Sequence, residues 1–243
     1  MRVAVVSDIH SNLHALVAVL EAIDAEGPDE LWCLGDLVGY GPRPSECCAL
    51  IGERADVCLA GNHDLAVRGT IDLAEFGGEA GIAATWTRGV LEPQAQELLE
   101  RLEPKGTAHG VALYHGSARD PIWEYVLSDE AALATLELAD SPVVLVGHSH
   151  VALRIGQSGE ELDGGIAPAG TEVEVGGDVQ ALLNPGSVGQ PRDGDPRAAY
   201  LLLDLGAQRA SFRRVEYDVA ATQREMREAG LPEMLAARLE LGL

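Results

Sequence analysis

The sequence predicts an α/β fold in which a parallel half precedes an antiparallel half. Three observations carry that expectation. Five short apolar runs end abruptly in Asp, Asn or His: residues 3–6 before Asp8 and His10, 31–34 before Asp36, 57–60 before Asn62 and His63, 111–114 before His115, and 143–146 before His148 and His150. Continuous apolar runs of this length read as strands buried on both faces. Apolar residues at helical spacing separate the first of these runs. Beyond residue 150, short β runs alternate with Gly, Pro and Asp turns and not with helices, which favours antiparallel pairing.

Residues 2–7 form the first strand and 8–12 its exit loop. A helix follows over 13–26, with Leu13, Leu16, Val17, Leu20 and Ile23 at helical spacing. Asn12 caps it and Gly27-Pro28 stops it. The second strand leads into the glycine-rich loop 35–42, where backbone can approach closely to whatever Asp36 binds. A helix is expected over about 44–53, with Pro44 near its first turn. After the third strand, residues 71–102 read as a mostly helical excursion, broken near Gly77-Gly78 and Pro93, that could cap the cleft. Residues 107–114 read as one core strand, with His109 at its entry. Residues 128–138 read as a helix with Ser128 as cap and Asp129 and Glu130 in its first turn.

Later β runs fall at 151–155, 172–175, 179–183, 198–205 and 211–217. Loop 184–192 is turn-rich, and its backbone amides and Arg192 could face the cleft. The tail 219–241 reads as two helices split at Gly230-Leu231-Pro232. No repeat, linker or low-complexity tract divides the chain, so one domain over 1–243 is expected.

Composition narrows the function. No apolar run approaches the roughly 18–20 residues of a membrane span. The first strand begins at once, without a charged leader or cleavage site. A cytoplasmic protein with no membrane partner is expected. Net charge is −22, from 39 acidic and 17 basic residues. Such a surface repels phosphate backbones and disfavours long nucleic acid. A small phosphorylated substrate stays open if metal ions supply local positive charge. Two Phe, five Tyr and three Trp argue against an extended base-stacking platform. Cys33, Cys47, Cys48 and Cys58 lack CxxC spacing and read as buried, reduced thiols. The amphipathic tail is compatible with a monomer or a homodimer.

Residues just past strand C-termini are where α/β sheets build sites. The five strand ends would gather Asp8, His10, Asp36, Asn62, His63, His115, His148 and His150 around one cleft. A single His at a strand end is commonly a structural residue. Here five of the seven histidines fall in the motifs, with Asp and Asn partners placed alike, and that repetition argues for a metal centre. Asp8 with His10, and His148 with His150, are spaced so that each pair can reach one ion. Asp36 has two oxygens and could bridge two. Nitrogen and oxygen donors without thiolate suit Mn, Fe, Zn, Ni or Co. Two such ions about 3.5–4 Å apart clamp a phosphoryl group and generate hydroxide near neutral pH. His14 reads as packing on the first helix, and His109 is assigned no role.

The motifs Asp8-Ile9-His10, Gly35-Asp36-Leu37-Val38-Gly39, Gly61-Asn62-His63-Asp64, His115 and Gly147-His148-Ser149-His150 resemble those of the calcineurin-like metallophosphoesterases. All five stand in order over about the first 150 residues. Stretches 11–16, 39–42 and 184–192 resemble a small bacterial and archaeal branch of phosphodiesterases, phosphatases or diadenosine-tetraphosphatase-like enzymes. The resemblance implies a four-layer αββα sandwich, two mixed β-sheets flanked by helices. It implies one metal on Asp8, His10, Asp36 and His150, and a second on Asp36, Asn62, His115 and His148. It implies that His63 faces the substrate and acts as general acid, with Asp64 orienting its ring.

The implied reaction is hydrolysis of small phosphomonoesters or phosphodiesters, dinucleoside polyphosphates among them, by direct attack of a metal-bound hydroxide. A protein phosphatase would use the same chemistry behind a shallow, exposed cleft. A non-catalytic binding scaffold on this fold typically loses ligands, whereas all seven stand here. Asn12, Tyr40, Arg68, Arg119 and Arg192 are candidate substrate contacts, the arginines as phosphate clamps.

Overall fold

The computed structural model describes residues 1–159 and 161–243. In chain order its elements are β1 (Arg2–Val6), α1 (Leu13–Glu26), β2 (Glu30–Cys33), α2 (Pro44–Arg54), β3 (Val57–Cys58), α3 (Asn62–Val67), α4 (Gly78–Val90), α5 (Pro93–Leu99), β4 (Lys105–Ala108), β5 (Val111–Tyr114), α6 (Asp129–Leu138), β6 (Val143–Leu145), β7 (Ala152–Ser158), β8 (Glu161–Ile166), β9 (Glu172–Glu174), β10 (Gln180–Pro185), β11 (Ala198–Asp204), β12 (Arg209–Val215), α7 (Val219–Glu228) and α8 (Glu233–Ala237).

The helix ends follow local chemistry. Asn12 Oδ1 accepts from the Ala15 N–H at 3.2 Å, and Gly27 closes α1 in the left-handed region at φ 60°. Ser128 Oγ caps α6 by accepting from the Ala131 N–H at 3.2 Å.

Two six-stranded mixed sheets run in the order β3-β2-β1-β11-β12-β9 and β4-β5-β6-β10-β7-β8. The apolar runs divide between them: β1, β2 and β3 pair in parallel in the first sheet, β5 and β6 in the second. The later strands do not form an antiparallel half of their own. β11 lies antiparallel beside β1, while β10 runs parallel to β6 and antiparallel to β7. Alternation in sequence reports which side chains are buried, not which strand lies alongside. Between β8 and β10 the chain crosses to the other sheet as β9, and β10 returns in the direction of β6.

One further expectation is corrected, and one strand is added. Residues 107–114 are not one strand; β4 and β5 form a hairpin turning at His109-Gly110, both at positive φ, as a two-residue type I′ turn requires. Strand β8, Glu-Leu-Asp-Gly-Gly-Ile, went unread because its glycines and acids hide any alternation. It lies at the sheet edge beside β7.

One core sits between the sheets, where Val3, Val5, Trp32 and Leu34 of the first meet Leu113, Leu145 and Leu183 of the second. Trp32 is fully buried there, and its truncation to Ala would cost about 3–5 kcal/mol. The outer face of the first sheet packs on α1, α2 and α5 through Leu16, Leu20, Ile51 and Leu99. Ala132 and Leu136 of α6 cover Val144 and Leu182 on the second. These layers make the helix–sheet–sheet–helix sandwich. The tail packs on the excursion: Met226, Leu235 and Leu239 bury Ala83 of α4, with Tyr40 and Trp86 alongside.

All four cysteines are free, and Cys58 is only half-buried. Among the described residues no helix is long and apolar enough to cross a membrane.

Candidate metal centre and cleft

The strand ends converge through unusually tight turns. Asp8 (φ 54°), His10 (48°), Asp36 (54°), His148 (64°) and His150 (58°) all occupy the left-handed region. That conformation costs roughly 1–3 kcal/mol at each non-glycine residue, so the surroundings must hold it. The Asp8 N–H donates to Gly35 O at 3.0 Å, the His10 N–H to Asp36 O at 2.9 Å, and the Gly147 N–H to His115 O at 2.8 Å. The His148 N–H donates to Asp8 Oδ2 at 3.1 Å. Loops from both sheets are thereby tied together.

Two donor groups result. Asp8, His10, Asp36 and His150 offer atoms within 4.8 Å of one another, and so do Asp36, His115 and His148. Asp36 belongs to both: its Oδ2 lies 3.5 Å from His10 Nε2 and 3.5 Å from His115 Nε2. Its Oδ1 accepts from the His63 N–H at 2.9 Å. Asn62 joins the second group, with Oδ1 3.2 Å from His115 Nε2. All seven residues are buried.

The hydrogen-bond pattern fits cations. Val38 O, Leu34 O and Gln190 O lie 3.0, 2.9 and 2.6 Å from Nδ1 of His10, His115 and His150. A carbonyl accepts, so these rings carry a proton on Nδ1 and aim Nε2 inward, where a metal would take its lone pair. His148 is reversed, its Nε2 facing Trp123 O at 3.3 Å. Asp8 Oδ1 is buried without a hydrogen-bond partner among the described residues.

Charge tells the same story. Burial pushes Asp8 up to about 7. Burial opposes charge on His115, but Asp36 and Asp8 outweigh it and raise the ring to about 9. Asp36 stays well below the usual carboxylate range because His115 and His63 offset its burial. Burial lowers His148 to about 3 and holds His10 and His150 well below 6.5. The site draws protons to the positions where a metal would sit and keeps its other imidazoles neutral, the form that ligates.

Residues 1–208 match the model of the calcineurin-like phosphoesterase superfamily domain. The chain belongs to this superfamily. It is similar to a metallophosphoesterase from Sphaerobacter thermophilus, at 41% identity over 100% of this chain and 99% of that one, with a TM-score of 0.89. It is 37% identical to an uncharacterized protein of Methanocaldococcus jannaschii over 99% of this chain and 98% of the relative. Over 69 residues, 27% of this chain and 25% of the relative, it is 39% identical to a symmetrical bis(5′-nucleosyl)-tetraphosphatase of Psychromonas ingrahamii.

In this superfamily member a cleft of about 200 Å³ opens onto Asp36, Asn62, His63, His148 and His150. The His63 ring is packed 4.4 Å from Tyr40 and 4.8 Å from Phe76, centroid to centroid. Its Nδ1 is buried against Gly39, where a Cβ would collide with it. Burial lowers His63 to about 4. Asp64 does not orient this ring through its carboxylate. It accepts instead from the N–H groups of Gly61 (2.9 Å), Leu37 (3.2 Å) and Val38 (3.1 Å), clamping loop 35–42 to the start of α3.

Of the candidate contacts, Tyr40 and Arg192 line the cleft. Arg68 donates to Leu99 O and Leu102 O, carbonyls left over at the end of α5. Arg119 is paired with Glu124 and Glu130 at the surface. Asn12 is fully committed: it caps α1, donates to Gly189 O at 2.9 Å and accepts from the Thr222 hydroxyl at 3.0 Å. The amides of loop 184–192 do not face the cleft either. Val188 and Gly189 donate to Ser7 O and Asp8 O, supporting the Asp8 turn from behind. His14 pairs with Glu225 at 3.2 Å.

Sequence reading missed the cleft walls. Glu75, Phe76, Gly77 and Ala80 bring the excursion to its edge, and Trp123 and Tyr125 form the opposite side. Phe76 and Trp123 stand 5.4 Å apart, and Tyr125 stacks on His148 at 4.1 Å. Few aromatics exist, but four of them gather here. Residues 120–125 carry no helix or strand pattern, so nothing in the sequence brings them to the cleft.

Proposed function

We propose that this chain hydrolyses small phosphate esters at a two-metal centre held by Asp8, His10, Asp36, Asn62, His115, His148 and His150. One observation carries the reading: the Asp36 carboxylate lies between two buried donor groups, 3.5 Å from an imidazole nitrogen of each. Cations held by these residues would neutralise phosphoryl oxygens and make water nucleophilic near neutral pH.

The chain's own residues supply the rest. His63 is neutral in the resting cleft because its burial outweighs Asp36. A phosphate dianion entering beside it favours the imidazolium. His63 then holds a proton next to the scissile bond and gives it to the leaving oxygen. Arg192 lies over the Tyr40 ring, 5.7 Å from its centroid, and offers a guanidinium to anionic oxygens of a substrate in the cleft. Phe76 and Trp123 narrow the cleft and exclude water. That narrowness favours small esters over a folded phosphoprotein, and the complete ligand set speaks against a non-catalytic scaffold.

The test is a substrate panel on metal-loaded protein: p-nitrophenyl mono- and diesters, cyclic nucleotides, dinucleoside polyphosphates and a phosphoprotein. Turnover of small esters well above the phosphoprotein is expected. Preferred turnover of the phosphoprotein, or none of any ester, contradicts the reading.

A further inference from the structure

The tail 219–243 lies beyond the residues matched by the superfamily model, yet it reaches the neighbourhood of the cleft. Arg238, just after α8, donates to Gln190 Oε1 at 3.4 Å. Arg192 donates to the same oxygen at 2.9 Å and to the Tyr40 hydroxyl at 3.4 Å. Two guanidinium groups therefore share one neutral acceptor. Among the described residues neither has a carboxylate within 4.0 Å.

This is an odd arrangement for a chain with 39 acidic residues and 17 basic ones. Arg2, Arg43, Arg54, Arg119, Arg154, Arg197, Arg209, Arg213, Arg214 and Arg227 pair with acids; of the six arginines that do not, Arg68 and Arg88 are taken up by backbone carbonyls, and only Arg192 and Arg238 share one side-chain acceptor among the described residues. Glu79 of α4 attracts Arg238 without pairing with it, while burial and Arg192 disfavour its charge. Arg192 Nε and Gln190 Nε2 are buried with no partner among the described residues. Like charges held together, with donors unused, are stabilised when an anion arrives between them.

We propose that Arg192 and Arg238 form a subsite for a second phosphoryl group, so that the preferred substrate carries a diphosphate or longer phosphate chain. The inference rests on the phosphoesterase reading and extends it: His63 and the metal centre act on one phosphorus while the arginine pair holds the next. The tail then selects substrates, since its packing against Ala83 and Tyr40 sets where Arg238 stands.

Calorimetric binding of inorganic tripolyphosphate and of inorganic phosphate to the full chain tests this, in the wild type and in Arg238→Gln and Arg238→Lys. Chelation of free metal is common to all three proteins and cancels in the comparison. The wild type is expected to bind tripolyphosphate at least about tenfold tighter than phosphate. Arg238→Gln should lose most of that preference, and Arg238→Lys, which keeps the charge, should retain part of it. Equal wild-type affinity for both anions, or an Arg238→Gln loss that is the same for both, overturns the subsite. Binding is read without turnover, so a chain that prefers tripolyphosphate but cleaves no ester would sink the activity and leave the subsite standing.

Discussion

His10 and His150 present Nε2 to Nε2 at 3.0 Å, while the Nδ1–H of each ring is given to a backbone carbonyl. Two lone pairs so placed repel each other; a cation bonded to both removes the repulsion. The buried, strained turns that carry them are therefore expected to depend on metal for part of their stability.

Metal removal should lower Tm. One ion at a hundred times its dissociation constant stabilises by about 2.7 kcal/mol, or roughly 5–11 °C for a chain of this size. Scanning calorimetry with and without a chelator measures it. An unchanged Tm would mean that the seven donors are satisfied without cations.

Metal loading should release protons. His10, His148 and His150 are already neutral at pH 7, and Asp36 is ionised. Asp8 near 7 and His115 near 9 retain protons that metal displaces. Asp8 and His115 should together give up between one and about two protons near pH 6–7 and none well above pH 9, where both lose them unaided, so that total release falls with pH toward the single proton a metal-bound water would lose. Titration in buffers of different ionisation enthalpy counts them. Release that rises with pH would contradict this assignment.

His63→Gln should keep both metals and lose activity unequally. An alkyl leaving group needs the proton, and p-nitrophenolate does not. A loss of about 10²–10⁴-fold is expected on alkyl esters, and a much smaller one on p-nitrophenyl phosphate. Equal losses would remove His63 from the acid role.

Asp193 and Arg214 form an ion pair buried to 2% and 3% exposure. Asp193 Oδ2 also accepts from the Ala152 N–H at 3.1 Å, fixing the loop that carries Arg192. Arg214→Leu alone should cost about 3–5 kcal/mol by leaving a buried carboxylate unpaired. Replacing both residues by Leu should recover much of that. Urea denaturation of the single and double variants reads the difference, and a double variant no better than the single one would refute it.

The centre was legible because its donors interrupt apolar runs. Asp8, Asp36, His115 and His148 each follow a buried strand, and that contrast survives without knowing which strands are neighbours. The two ends of α1 were legible for a similar reason, since Asn12 at its start and Gly27 at its close each act within one turn. What stayed hidden depends on distant partners. The direction of β10 is set by where the chain crosses between sheets. Asp64 faces three amides from two loops, which no spacing in Asn-His-Asp reveals. Trp123 and Tyr125 reach the cleft from an irregular segment, and Arg238 through packing of the tail on α4.

The most direct test of the central claim is metal stoichiometry, by elemental analysis after reloading, in the wild type and in Asp36→Asn. Two ions per chain are expected in the wild type, with both lost or severely weakened once the carboxylate common to the two donor groups is gone. Fewer than two ions in the wild type, or two retained by Asp36→Asn, would contradict the account.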